Sequence, residues 1–328
     1  MTWQSFEGSA ADWDSLVRGL GARTPFQFSA WATFRESFGW RSLRLVSANA
    51  SSAVLFLTRL AGPIRVAWAA GGPLGNVSLH DLEHLPNDVA GNLGGVIHYL
   101  RVADHSPHDS RRTRLFEDAG WSRPTKQIVT NHTLLRELQS SSVGSDIAYS
   151  SNWSRNLRRG QQRNIVAEVW AQPDPVIVAR LHQEVESTKR AFTADWRANT
   201  VALQRLISCF GSQLLVVRAV DAAGQTLSIR AATINGTHAF DFLAATSMEG
   251  RKCYASNVAM HQLLVAAAVR GATSYDFGGV DPQENKGVFD FKHGAGGIEH
   301  TYVGEFEHVG PRFVKPIVSK LVALRLSA

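Results

Sequence analysis

The same order of elements is written twice along this chain of 328 residues, and that repetition restricts its fold more than any other feature. In the first half, Asp12 to Leu20 and Ser29 to Phe38 have helical spacing, with Trp31, Phe34 and Phe38 on one face and Ser29 placed to cap the second helix. The strand-like runs LRLVSA, AVLFLTRL and IRVAWAA follow, separated by Asn-Ala-Ser-Ser and Ala-Gly-Pro turns, so they read as an antiparallel meander. A helix through Val89 to Ile97, the strand YLRVADH, a helix RRTRLFEDAGW closed by Gly120 and the strand KQIVTNHTLL complete this half.

The order restarts after the Ser-rich stretch Leu138–Asp146, which reads as a linker. Asp174-Pro175 starts a helix that VIVARLHQEVESTKR continues, and a second runs from Thr200 to Phe210. LLVVRAV, LSIRAATI and HAFDFLAAT form another meander through Asp-Ala-Ala-Gly and Asn-Gly turns. Ser256 is placed to cap NVAMHQLLVAAAVRG, and TSYDF is a buried strand running into Gly278-Gly279. The expectation is an α/β (α+β) chain of two tandem domains, each a mixed, mainly antiparallel sheet flanked by helices in the strand order of an N-acyltransferase. Residues 1–140 would form the first domain, 146–310 the second, and a C-terminal helix at 311–328 would return to the first. Val314, Ile317, Val318 and Leu321 are its expected buried face.

Several chemistries lose their usual support. Asp276-Phe277-Gly278 spells the metal-binding triplet of kinases, yet no Gly-rich phosphate loop or His-Arg-Asp loop accompanies it. No Gly-x-Ser-x-Gly, His-Glu-x-x-His or Walker lysine occurs, and His98, His105 and His108 lack a carboxylate at metal spacing, so no metal is implied. Two cysteines, Cys209 and Cys253, are too few for a disulfide framework and fit a reducing compartment; with no leader-like or membrane-spanning run, the cytoplasm is expected.

Two segments do carry chemistry. In SSNWSRNLRRGQQRN, Arg155, Arg158, Arg159 and Arg163 recur at helical spacing beside Trp153, a cationic face suited to phosphate in a chain of net charge +6; a solvated basic helix is the other reading. Near the C-terminus, Tyr275-Asp276-Phe277-Gly278-Gly279 opens a glycine-rich turn, and Phe291-Lys292 precedes another at Gly294–Gly297. YDFGG, then FK, then GAGG, together with QFSAWATFRESFGW, AAGGPLG and WSRNLRRGQQRN, resemble the Fem family of non-ribosomal peptidyl and aminoacyl transferases, whose fold is similar to two fused GNAT acyltransferases. The chain departs from the family pattern at Gly71, where an arginine is usual, and at Ala295, where an aromatic is common.

The resemblance implies transfer of an aminoacyl group from aminoacyl-tRNA to an amine, on a peptidoglycan precursor or on a peptide or natural-product intermediate as in antibiotic biosynthesis, with no cofactor. It implies Lys292, Phe291 and Asp276 as catalytic groups. Arg35, Arg155, Arg158, Arg159, Arg163, Trp153, Tyr254, Gly278 and Gly279 would bind substrate. The alternative is an acyl-CoA-dependent GNAT-type N-acyltransferase, although RKCYAS places Tyr254 where the pyrophosphate loop of such enzymes begins with glycine.

Overall fold

The computed structural model describes residues 2–138, 148–186 and 199–325. All of the expected linker beyond Leu138, and the expected helix beyond Glu186, lie outside the described residues. Two compact units are present, Met1–His132 with Thr301–Ala328, and Thr133–His300.

The first unit opens with β1 (Trp3–Ser5), α1 (Ala10–Gly19) and α2 (Ser29–Glu36). Ser9 and Asp12 cap α1 reciprocally. Ser29 is the first residue of α2 rather than its cap; its N–H goes to Asp14 Oδ1 at 2.8 Å, because the preceding helix already supplies an acceptor there. The meander β2 (Arg41–Ser47), β3 (Ser52–Ala61) and β4 (Ile64–Ala70) forms as its turns dictate, and β5 (Leu74–Gly75) pairs with β3. The next helix, α3 (Leu79–Leu93), begins ten residues before the expected Val89, at a Ser78–Asp81 capping box. Gly94 and Gly95, at φ +61° and +85°, end it, which leaves Ile97 to begin β6 (Ile97–Pro107). α4 (Ser110–Asp118) follows and is closed by Gly120 at φ +83°.

The second unit comprises β7 (His132–Glu137), α5 (Ser151–Gln162), β8 (Val166–Val169), α6 (Pro175–Glu186), α7 (Thr200–Phe210), β9 (Leu214–Val220), β10 (Thr226–Asn235), β11 (His238–Thr246), α8 (Met248–Lys252), α9 (Ala255–Val269), β12 (Ser274–Gly279) and α10 (Lys286–Gly294). Its strands run β7-β12-β11-β10-β9-β8, and only β11 and β12 are parallel. α9 is apolar nearly all round because Ala259, Met260, Leu263 and Leu264 are buried in the core of this unit.

The chain then returns through β13 (Ile298–Gly310) and α11 (Lys315–Arg325) to the first unit, whose strand order is β1-β2-β3-β4-β6-β13 with only β4 and β6 parallel. Each half therefore completes its sheet with a strand from the other half of the chain. The strand after α4 is β7, which pairs with β12, and the strand after α10 is β13, which pairs with β6. This moves the unit boundaries from the expected 140/146 and 310 to 132/133 and 300/301. The reason is partner choice: Phe306 of β13 stacks on Phe116 of α4 at 4.4 Å, while Leu134 of β7 lies in the core of the second unit. Alternation predicts a strand but not the sheet that it joins.

Residues 311–325 group with the first unit. The expected buried face of α11 is only half right. Val318 is 3% exposed and packs with Val314 and Val322 against Tyr99 and Val309, whereas Ile317 and Leu321 are 65% and 49% exposed. Positions 314, 318 and 322 and positions 317, 321 and 324 both fit the helical period, so periodicity alone left the choice open.

Candidate active site

In α5, Trp153, Leu157 and Gly160 are buried on one side. Arg155, Arg158, Arg159 and Arg163 lie on the opposite side and are exposed, with Arg163 as the C-cap residue. Gly160 permits close approach to α9: a Cβ there would meet Val258 Cγ2 at 2.6 Å. This contact brings the cationic face to the start of α9, where Arg159 donates to the Tyr254 hydroxyl at 3.3 Å and the guanidinium of Arg163 lies 5.6 Å from the Tyr254 ring. Tyr254 is left-handed at φ +62° and no side chain caps α9. Ser256, expected as the cap, is inside the helix because Tyr254 takes the cap position. Its hydroxyl accepts from Arg230 Nε at 3.3 Å and from the Nη2 of the same guanidinium at 3.2 Å. Arg155 is held by Asn152 of its own helix, and Arg158 is exposed.

The parallel pair of this unit stays in register for only three positions, His238↔Ser274, Ala239↔Tyr275 and Phe240↔Asp276. Past them β12 turns through Gly278 at φ +69°, and the carbonyls of Gly278 and Gly279 are free of β11. Lys292, on the last turn of α10, donates to these carbonyls at 3.5 and 3.1 Å. Asp276 is buried beneath the turn; its Oδ1 accepts from the Gly278 N–H at 2.7 Å and from the Thr133 hydroxyl at 2.5 Å. It shapes the loop. Gly294, Gly296 and Gly297 close α10, and a Cβ on Gly297 would meet Leu134 Cβ at 2.8 Å, so the second glycine turn packs the helix against β7.

Charged groups missed at the level of sequence complete the site. Arg230 from β10 pairs with Asp241 of β11 at 3.4 Å and lies 4.5 Å over the Phe291 ring. The Tyr275 hydroxyl donates to Asp241 Oδ1 at 3.0 Å. Burial pushes the Asp241 carboxyl up, against the pull of Arg230, Lys292 and the Tyr275 hydroxyl. Burial also pushes the Lys292 ammonium down, with Asp241 opposing and Arg230 adding to the shift. The signal was present in LSIRAATI and HAFDFLAAT, each a strand with a single formally charged residue in its interior.

Two expected binding residues are structural. Trp153 is 3% exposed, stacked on Tyr149 at 4.0 Å, since the helical spacing that exposes the arginines turns the indole inward. Arg35, in the first unit, is 8% exposed between the rings of Trp31 and Trp40 at 5.4 and 5.3 Å, where its aliphatic stem and guanidinium serve packing. Phe291 is half-buried and braces Arg230. Separately, His80, Glu83 and His84 on α3 gather ligand atoms within 4.8 Å of one another, a spacing open to a cation.

Residues 214–321 match the FemAB family. Over 96% of its length the chain is similar in structure to all of a protein described as FemX, with a TM-score of 0.80 at 12% identity. It is also similar to L-PGS from Bacillus licheniformis (TM-score 0.58, 9% identity, 99% of this chain and 98% of that one). A third likeness is to a tandem GNAT protein from the clavulanic acid biosynthesis pathway (0.53, 11%, 94% and 99%). No curated protein sequence matches. The family match covers about a third of the chain, and the structural likenesses over nearly all of it show a shared fold, two tandem GNAT-like units.

Proposed function

We propose that this chain takes an aminoacyl group from aminoacyl-tRNA and places it on an amine, forming an amide bond, at the point where β11 and β12 part. The observation that carries the reading is Lys292, a partly desolvated cation at the Gly278 and Gly279 carbonyls past that parting, with Arg230, Asp241 and Tyr275 fixing its surroundings. The ester of an aminoacyl-tRNA is already activated, so the protein supplies alignment and stabilisation of charge. The acceptor nitrogen attacks the ester carbonyl, a C–N bond forms, and the C–O bond to the terminal ribose breaks; the proton lost by the amine ends on the ribose oxygen. Lys292 sets positive charge against the developing oxyanion or the terminal phosphate. Asp276 keeps the Gly278 turn in place. Arg155, Arg158, Arg159 and Arg163 take phosphates of the acceptor stem, and Tyr254 lies at their edge.

The donor would place the reaction in the cytoplasm, with a peptidoglycan precursor or a peptide intermediate as acceptor. A second reading, acyl-CoA as donor, draws on the uncapped N-terminus of α9, which suits a pyrophosphate. Transfer from a mixture of radiolabelled aminoacyl-tRNAs, with and without prior ribonuclease, separates the two. Label transfer that survives ribonuclease treatment of the donor overturns the tRNA reading, and transfer from acyl-CoA alone establishes the other.

A further inference from the structure

The helix that closes the first unit has an apolar side that the fold does not use. Phe313, Ile317, Leu321 and Leu324 are 82%, 65%, 49% and 57% exposed. On a helical period the last three fall within roughly 60° of one another, a stripe turned away from Val314, Val318 and Val322, which meet the body. The charge along this segment has one sign: from Val309 to Ala328 the sequence contains Arg312, Lys315, Lys320 and Arg325 and no acid, and the one neighbouring carboxylate that bonds to α11, Glu307, is buried and accepts from Ser319 Oγ at 2.7 Å.

At the start of α11 lies a depression of about 210 Å³ lined by Gly120, His308, Val309, Arg312 and Lys315, without a carboxylate. His308 Nδ1 is buried there and has no hydrogen-bond partner. Burial, then the charges of Arg312 and Lys315, hold its imidazole down at about 4, so it adds no third cation near neutrality. Lys315 donates to Ser122 Oγ at 2.6 Å, which fixes its ammonium at the rim. Gly120, at φ +83°, forms one wall, and the Arg312 guanidinium lies 2.7 Å from where its Cβ would be.

We propose that α11 and this depression form a docking surface for an anionic phospholipid membrane, the stripe entering the headgroup boundary and the depression receiving a lipid phosphate. Eleven helical residues span ~17 Å, short of the ~30 Å hydrocarbon core, and no described helix is long and apolar enough to cross a membrane, so α11 lies in the interface. Exposed Lys320 and Arg312 flank the stripe, the arrangement in which basic side chains reach headgroups while apolar ones enter. A second copy of the chain fits less well, because a two-fold pairing of this face would set its cations against each other without an acid to meet them.

The surface is independent of the transfer reaction, and its test needs neither donor nor acceptor. The intact protein is sedimented with phosphatidylcholine vesicles with and without phosphatidylglycerol across a salt series. Binding is expected only with phosphatidylglycerol and weakens with salt. Ile317→Ser/Leu321→Ser abolishes it with little change in thermal melting, since both side chains are already about half or more exposed. Arg312→Gln/Lys320→Gln weakens it on the order of 30-fold, from about 1 kcal/mol per cation near an anionic surface. Equal binding to both vesicles, or wild-type binding by the serine variant, overturns the proposal. So does a dimer, seen by sedimentation velocity without vesicle binding, that the serine variant dissolves, because a second copy then covers the stripe.

Discussion

The two units share a strand order, yet they differ at the place where it matters. In the first, β4 and β6 remain paired over seven positions, Ile64↔Ile97 to Ala70↔Ala103, and the buried Gln27 amide donates to the carbonyls of Leu55 and Ala70. In the second, β11 and β12 part after three positions, and Lys292 donates to the Gly278 and Gly279 carbonyls past that point. The first long helices after each meander differ in the same sense. α3 is closed by Ser78 and the acidic Asp81, whereas α9 has no side-chain cap and is flanked by Arg159, Arg163 and Arg230. One topology thus yields a closed strand pair in the first unit and a parted, cationic one in the second, and the difference rests on a few residues at strand ends and helix starts rather than on architecture.

The comparison can be broken at its foundation by truncation after His300. This removes β13, with Val303 and Phe306, from the first unit but leaves every strand of the second. Cooperative unfolding of the first unit should disappear and that of the second should persist, as read by hydrogen exchange of β2 to β4 against β9 to β11. An equal fall in protection in both would show that the units do not stand apart.

Next in size is Lys292→Met, which keeps the aliphatic stem and removes the charge. Single-turnover transfer should fall on the order of 10²-fold or more while the melting temperature barely moves. A near-wild-type rate in the folded variant would remove Lys292 from the chemistry, and with it the contrast between the units.

Arg158→Ala/Arg159→Ala probes the cationic face. Filter binding of a tRNA across a salt series should show weaker affinity and a log–log slope reduced by roughly two, one for each phosphate that an arginine no longer neutralises. An unchanged slope would return these arginines to the solvated surface. The smallest effect is expected at the closed helix start: Ser78→Ala should cost about 1 kcal/mol in denaturant unfolding, since it opens a capping box, with no loss of transfer. Impaired transfer in that variant would mean that the first unit is more than a scaffold.

The sequence by itself determined the repeat, both meanders, most of the longer helices and the chemical types present. Turn residues and side-chain periodicity are local, and they placed both meanders, the glycine turns after β12 and α10, and the cationic face of α5. It also showed the Gly278-Gly279 turn, because paired glycines at a strand end leave a mark in one dimension, whereas Lys292 stood out only through the family resemblance. Only the tertiary structure decided which sheet β7 and β13 join, since a strand's alternation is satisfied by either partner. It turned Trp153 and Arg35 inward, made Asp276 a support of the loop, and brought Arg230, Asp241 and Tyr275 from three strands to Lys292. It also chose between the two apolar stripes of α11. Burial is a property of what a side chain faces, and residues far apart in the chain settle it.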